Sequence, residues 1–150
     1  MEEQFWNKFD ELSESTCYII DFLPNQVPKK SDGQFFKIEE YFLMPPQIDK
    51  IYEKFTNILL KLNCYYNFTV HFASDDRIYD SPSPDKLTAN IINCFNSKDD
   101  SYINIIIEAQ NTLITLSSDS LYLAIYNPNK AIIDLMNALA SSEGLFFRKV

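Results

Sequence analysis

The candidates for nucleophilic catalysis in this sequence are one histidine and three cysteines, which could form a Cys–His pair. His71 is a conceivable general base for a thiol, because a neighbouring imidazole converts a thiol into the reactive thiolate. A metal site with two histidines is excluded, and the cysteines lack the Cys-x-x-Cys spacing of zinc sites. We therefore expect no metal and no cofactor, and we interpret the cysteines as buried thiols. We interpret the histidine as a residue on the outer or less buried face of its strand that hydrogen-bonds a neighbour. The three thiols belong to Cys17, Cys64 and Cys94.

Adjacent acidic residues are the second candidate for chemistry, since converging carboxylates serve as catalytic acids in glycosidases and as Mg²⁺ ligands. Neighbouring residues on a strand point to opposite faces, and acidic pairs in loops are commonly solvated turn residues. We therefore predict no catalytic residue among these pairs. They are Glu2-Glu3, Glu39-Glu40, Asp75-Asp76 and Asp99-Asp100.

Glycine is too rare for nucleotide-binding loops. The sequence contains Gly33 and Gly144 and no other glycine. Phosphate-binding loops and dinucleotide fingerprints need several closely spaced glycines, so both are excluded. These observations favour a binding protein over an enzyme, and an enzyme that uses a cysteine with His71 remains an alternative.

The composition is that of an acidic globular domain. The 150 residues carry 21 acidic and 13 basic side chains, which give a formal net charge of −8, and 46% of the residues are hydrophobic. A sequence pI near 4.5 predicts repulsion from phosphate backbones and anionic lipids, so we expect neither nucleic acid nor membrane as a partner. The acidic start of the chain does not resemble a secretory signal, and we expect a cytoplasmic protein.

The negative charge is concentrated in two blocks. Residues 1–23 carry a net charge of −5 and residues 75–108 carry −4, whereas residues 24–74 carry +1 and residues 109–150 carry 0. A segregated acidic surface attracts a basic partner and raises its association rate. We expect the acidic blocks to contribute to a protein–protein interface.

Hydrophobic periodicity predicts the elements that position these residues. Helical spacing predicts helices over residues 3–13, 48–62, 84–95 and 128–143, with Ser83 and Asn127 as N-caps and Gly144 as a left-handed terminus. The prediction is a single α+β domain over residues 1–150, with an antiparallel-rich sheet and about four helices packed on it. Residues 35–44 are ambiguous between strand and helix, and we predict a strand that pairs with the first one. The predicted strands cover residues 16–23, 35–44, 68–72, 102–109, 112–117, 121–126 and 145–147.

Four segments together resemble a known family. They are residues 18–24 (YIIDFLP), residues 60–66 (LKLNCYY), residues 121–128 (LYLAIYNP) and residues 140–147 (ASSEGLFF). The pattern resembles immunity proteins of bacterial polymorphic toxin systems, the small cytoplasmic antitoxins of contact-dependent growth inhibition and of Maf-type toxins. The resemblance covers most of the chain, and its segments are core strands and caps without catalytic motifs.

The resemblance implies a toxin inhibitor that binds one cognate toxin C-terminal domain and occludes its active site without catalysis. Such toxins are often nucleases with basic clefts, RNases more often than DNases, and a segregated acidic surface suits a nuclease inhibitor. Binding outside the active site and the oligomeric state are left open. The alternative is a small adaptor or regulatory domain that binds a peptide by strand addition at an exposed sheet edge.

The expected partner-binding residues follow from charge and exposure, because interface residues of a toxin and its inhibitor diverge together and cannot be transferred from the family. Aromatic residues ringed by complementary charge dominate tight interfaces, so acidic loop residues flanked by tyrosines are the first choice. These are Asp75, Asp76, Asp80, Asp99 and Asp100, with Tyr79 and Tyr102 as aromatic anchors. The second choice is the set of acids of the first helix, Glu2, Glu3, Asp10, Glu11 and Glu14.

Overall fold

Seven antiparallel strands form one sheet at the centre of the computed structural model, which describes residues 2–97 and 100–150. The strands are β1 (Cys17–Asp21), β2 (Thr69–Phe72), β3 (Arg77–Asp80), β4 (Tyr102–Ile107), β5 (Thr112–Ser117), β6 (Tyr122–Tyr126) and β7 (Phe146–Lys149). Their order across the sheet is β3-β2-β4-β5-β6-β1-β7, and every neighbouring pair is antiparallel.

Five α-helices accompany the sheet within the described ranges. They are α1 (Glu2–Ser13), α2 (Phe35–Leu43), α3 (Gln47–Asn63), α4 (Pro84–Asn96) and α5 (Lys130–Ser142), and a short 3₁₀ turn covers Glu108–Gln110. The predicted single α+β domain with an antiparallel sheet is confirmed. In the described residues, no helix combines the length and the apolar character needed to cross a bilayer.

The main hydrophobic core lies between one face of the sheet and helices α3, α4 and α5. The apolar stripe of α3 that predicted this helix is the buried one, with Phe55, Ile58 and Leu59 inaccessible to solvent. These side chains meet alternate residues of the central strands, such as Ile105 and Ile114. Because burial of each such side chain stabilises the fold by about 1.5–3 kcal/mol, this face holds the domain together.

The opposite face of the sheet is covered in part by α1. Phe5 and Leu12 are buried against Ile106 of β4 and Leu113 of β5 in a second, smaller cluster. The acidic residues between these apolar positions are exposed, as the amphipathic pattern predicts. The N-terminal helix therefore attaches the first acidic block to the sheet.

The helix ends follow the predicted capping with one shift. The Ser83 hydroxyl accepts a hydrogen bond from the backbone amide of Lys86 at 3.2 Å and caps α4. Asn129, two residues beyond the predicted Asn127, caps α5 through the amide of Ile132 at 3.0 Å. Gly144 adopts a φ of 72° at the end of α5, which confirms its predicted left-handed conformation.

The prediction of a strand over residues 35–44 is wrong, because this segment is α2. The helix ends before the Pro45-Pro46 pair and packs against α3. Its outward face carries large apolar residues among the charged ones, so the apolar and polar positions do not follow a clear helical period. The first strand pairs with β6 and β7 instead of this segment.

Strand β3 was not expected from the sequence. It has four residues, and charged Arg77 and Asp80 stand at its ends. Only Ile78 and Tyr79 supply an apolar signal, which is too short to recognise beside turn residues on both sides. This strand turns the predicted loop after β2 into a hairpin.

Candidate functional site

The first feature of interest is the environment of His71 on β2. Its imidazole is buried, in contrast to the predicted outer position, because α1 covers this face of β2. Its Nε2 atom lies 2.8 Å from Oδ1 of Asp76, whose side chain is largely exposed. On the other side of the ring, the amide nitrogen of Asn104 lies 3.5 Å from Nδ1. A neutral imidazole with its proton on Nε2 satisfies both contacts, because it donates to the carboxylate and accepts from the amide. The aspartate thereby holds the orientation of the ring.

Three aromatic rings surround this imidazole and connect separate parts of the chain. The ring centroids of Trp6 and Phe5 on α1 lie 4.7 Å and 6.2 Å from that of His71. The ring of Tyr102, at the start of β4, lies 6.0 Å away and is 45% exposed. Two segments that sequence analysis treated as separate sites, α1 and the residues around Asp76, therefore meet at His71.

The turn of the β2–β3 hairpin presents Asp75 and Asp76 in different directions. Asp76 has a φ of 54°, a left-handed conformation that aspartate tolerates better than most residues. Its side chain reaches His71 on the face of the sheet that carries α1. Asp75 instead accepts hydrogen bonds from the Tyr79 hydroxyl and from the backbone amide of Arg77.

Tyr79 points to the face of the sheet that packs against α3, α4 and α5. His71 points to the other face, which carries α1. Its ring packs 5.6 Å from that of Phe72, and Nζ of Lys86 on α4 lies 3.6 Å from the centre of the ring. The hydrogen bond from the Tyr79 hydroxyl holds the pKa of the Asp75 carboxyl below its usual range, and the positive charges of Lys86 and Arg77 add to this effect. Both side chains are thus engaged within the protein, although each reaches the surface.

An acidic groove lies at the end of the sheet that is formed by β2, β3 and the end of β4. We define the acidic groove by the residues that line it, Tyr65, Tyr66, Asn67, Thr69, Asp80, Glu108, Ala109 and Gln110, and it has a volume of about 520 Å³. Asp80 and Glu108 give it negative charge, and the ring of Tyr65 is 66% exposed at its side. Carboxylates beside an exposed aromatic ring suit a basic side chain, through charge and through cation–π contact.

The remaining predicted site residues lie on the surface around these features. Asp100 precedes β4 and is exposed, whereas Asp99 lies outside the described residues. The acids of the second choice all have exposed positions in or directly after α1, and they are Glu2, Glu3, Asp10, Glu11 and Glu14. The register of β2, β3 and β4 places Asp80 at the opposite end of these strands from Asp75, Asp76 and Asp100. The described part of the acidic set is therefore distributed over α1, both ends of the β2–β3 hairpin and the start of β4.

The cysteines do not contact His71 in the described part of the chain. Cys94 faces the main core from α4, and burial raises the pKa of its thiol to about 11. Burial also raises the pKa of Cys17, which lies on β1, four strands or about 19 Å from β2. Cys64 follows α3 and is exposed, in contrast to the predicted buried thiol. Raised pKa values disfavour the thiolate at neutral pH, so neither of the two inner thiols is activated as a nucleophile.

A cavity of about 520 Å³ lies between α2 and strands β6, β1 and β7. Arg148 of β7 donates a hydrogen bond to Asp21 of β1 at 2.9 Å on its wall, with both side chains mostly buried. This ion pair leaves the Nε atom of Arg148 buried without a hydrogen-bond partner among the described residues. The pair joins the edge strand to its neighbour and neutralises the local charge.

Sequence reasoning missed Tyr65 and Glu108, which line the acidic groove. The pair Tyr65-Tyr66 follows the predicted long helix, and two consecutive tyrosines after a helix end were the available signal for exposed aromatic residues. No comparable signal exists for Glu108, because its approach to Asp80 depends on the antiparallel arrangement of β3, β2 and β4.

The described residues contain no group of three or more histidine, cysteine or acidic side chains arranged to hold a metal ion. Comparison of the chain with protein-family models, with curated proteins and with solved structures finds no match.

Proposed function

We propose that this protein is a cytoplasmic immunity protein that binds a cognate toxin domain and occludes its active site. The observation that carries the proposal is the acidic groove, in which Asp80 and Glu108 lie beside the exposed ring of Tyr65. Elsewhere on the surface, α1 and the turn of the β2–β3 hairpin add further exposed carboxylates. The family resemblance of the sequence supports the same interpretation.

The proposed partner is a nuclease, in the first instance an RNase, with a basic cleft. Lysine and arginine side chains in such a cleft bind the phosphates of the substrate. Carboxylates of the acidic groove would pair with these cations in place of the phosphates, and the bound protein would exclude the nucleic acid from the cleft. Long-range attraction between a −8 protein and a basic toxin also accelerates association, to about 10⁸ M⁻¹s⁻¹ at low salt.

Open sheet edges favour a second candidate function, a peptide-binding adaptor. In the described residues, β3 pairs only with β2 and β7 pairs only with β1, so each presents one unpaired side. An extended peptide could add to either edge through main-chain hydrogen bonds. Such binding would depend on backbone pairing and only weakly on salt, in contrast to the proposed toxin complex.

The decisive experiment is co-expression of this protein with the product of the gene immediately upstream. We expect a stable complex with the C-terminal domain of that product, and growth of cells that would otherwise be killed by it. Purified toxin domain should degrade RNA, and stoichiometric addition of this protein should stop the degradation. Absence of both complex and growth rescue would refute the proposal and leave the adaptor function as the one to test.

A further inference from the structure

The outward face of α2 leaves large apolar side chains in solvent. Phe36 is 81% exposed, Tyr41 is 54% exposed, and Met44 at the end of the helix is 56% exposed. Lys37 and Glu40 lie between them on the same side and are exposed as well. Contiguous apolar exposure rimmed by charge is typical of protein–protein interfaces.

The inner side of α2 is fixed, so the outward face is a stable surface. Phe42 and Leu43 pack against the main core, and the ring of Phe42 lies 5.5 Å from that of Phe22. Phe35 and Glu39 face the cavity above the sheet. The outward rings of Phe36 and Tyr41 contact the inner rings of Phe35 and Phe42 at 5.5 Å and 5.6 Å, and the rest of their surface remains available to a partner.

The local charge distinguishes this face from the two acidic blocks. Residues 24–44 contain three lysines and three acidic residues, so their net charge is zero in a chain with a net charge of −8. Two copies of this chain repel each other over the acidic blocks, whereas no net charge opposes their approach here. We propose that α2 pairs antiparallel with α2 of a second copy around a two-fold axis, an interaction beyond the proposed toxin binding and independent of it.

The charges select one register for this pairing. When the two-fold axis passes between residues 38 and 39, Lys37 of each copy lies opposite Glu40 of the other. The same register sets Phe36 opposite Tyr41, which joins the two most exposed rings of the helix. An axis at residue 37 would oppose two lysines and an axis at residue 40 would oppose two glutamates, so both alternatives are repulsive.

This register also provides a place for Met44. The methionine of one copy approaches Gly33 of the other, where an apolar groove of about 230 Å³ is lined in part by Val27 and Ile38. A glycine leaves this groove open, and the flexible methionine side chain adapts to irregular apolar surfaces. One short helix per copy makes a small interface, so the dimer should dissociate in the micromolar range.

Sedimentation velocity of single-charge variants tests the pairing. The wild-type chain should move from a 17.5 kDa monomer towards twice that mass as the protein concentration rises from about 5 to about 500 µM. Lys37→Glu and Glu40→Lys should each weaken self-association by at least about tenfold, because each opposes like charges twice. An equimolar mixture of the two variants should restore a dimer, since the two altered faces complement each other. The control is Lys50→Glu on α3, which should associate like the wild type.

Three results would overturn the proposal: a wild-type chain that stays monomeric over the whole range, single variants that associate like the wild type, or a mixture that does not associate. Circular dichroism of each variant verifies that the exposed substitutions leave the fold unchanged. No toxin is present in this experiment, so its outcome is independent of the proposed function.

Discussion

Asp76 and His71 form a hydrogen bond of 2.8 Å in which the carboxylate is 82% exposed and the imidazole is 1% exposed. The pair connects a surface turn to the interior of the face covered by α1. An acidic residue that was predicted to bind a partner therefore has a structural role within the protein. Substitutions intended to test toxin binding at the hairpin must separate these two roles.

Substitution of Asp76 measures the structural role. Asp76→Gly accommodates the φ of 54° but leaves the buried Nε2–H of His71 without a partner, so we expect a loss of about 1–3 kcal/mol in the free energy of unfolding. Asp76→Asn keeps both the backbone conformation and an acceptor oxygen, and it should lose less than half as much. Urea unfolding at pH 7 gives both values, and equal losses for the two variants would contradict this role of the hydrogen bond.

The hydrogen bond from Tyr79 to Asp75 predicts a pH effect. The pKa of Asp75 is lowered in the folded state, so its contribution to stability is present above the ordinary aspartate pKa of about 3.9 and is lost as the pH falls through the lowered value. Tyr79→Phe should shift the pKa of Asp75 towards its ordinary value and flatten the decline of stability in acid. Because Asp75 is exposed, the loss at neutral pH should stay below about 1 kcal/mol.

NMR titration of the Asp75 carboxyl carbon measures this shift directly. Tyr122→Phe is the matched control, because Tyr122 is an exposed tyrosine on β6 whose substitution should leave Asp75 unchanged. An unaltered Asp75 titration in Tyr79→Phe would show that the lysine and arginine nearby, and not the hydroxyl, determine the pKa.

The two glycines of the chain provide a matched test of backbone conformation. Gly144 has a φ of 72°, and the amide of Leu145 after it donates to the carbonyl of Ala140 at 2.9 Å to terminate α5. Gly144→Ala should therefore cost about 1–2 kcal/mol of stability. Gly33 lacks a positive φ, and an added Cβ would meet the Ser31 hydroxyl at an ordinary 3.7 Å. Gly33→Ala should be neutral or slightly stabilising in thermal unfolding, and a loss as large as that of Gly144→Ala would contradict the backbone argument.

Local patterns in the sequence were sufficient to predict most of the helices and strands. They were not sufficient to predict which strands pair with each other. The stripe of α3 and the Ser83-Pro84 cap specify their helices through neighbouring residues alone. The partners of β1 lie more than a hundred positions away, in β6 and β7, and no short-range signal identifies them. The error at residues 35–44 has the same origin, because only packing against α3 and the cavity distinguishes the inner from the outer side of α2.

The sequence predicted which segments of the candidate site are acidic. It did not predict which of their residues meet on the surface. The acidic blocks located α1 and the hairpin, since charge is a property of sequence segments. The meeting of these segments at His71 and the approach of Glu108 to Asp80 depend on strand order. Tyr79 illustrates the difference: it contacts Asp75, one of these acids, yet its strand register directs the ring to Lys86 on α4.

Charge reversal in the acidic groove tests the proposed toxin contact without disturbing His71 or Asp75. Asp80 and Glu108 are exposed and form no ion pair within the described part of the chain, so Asp80→Lys combined with Glu108→Lys should preserve the fold. We expect association with a basic toxin domain to slow by at least about tenfold in low salt, and the difference from the wild type to shrink as salt screens the charges.

Asp49→Lys combined with Glu53→Lys is the control for this prediction. Both residues are exposed on α3, away from the groove, and their reversal changes the net charge of the protein by the same amount. Stopped-flow association of the two double variants separates a local contact from a general effect of net charge. A groove variant that is slowed no more than the α3 variant would remove the acidic groove from the interface, because the attraction would then depend on total charge and not on where the carboxylates lie.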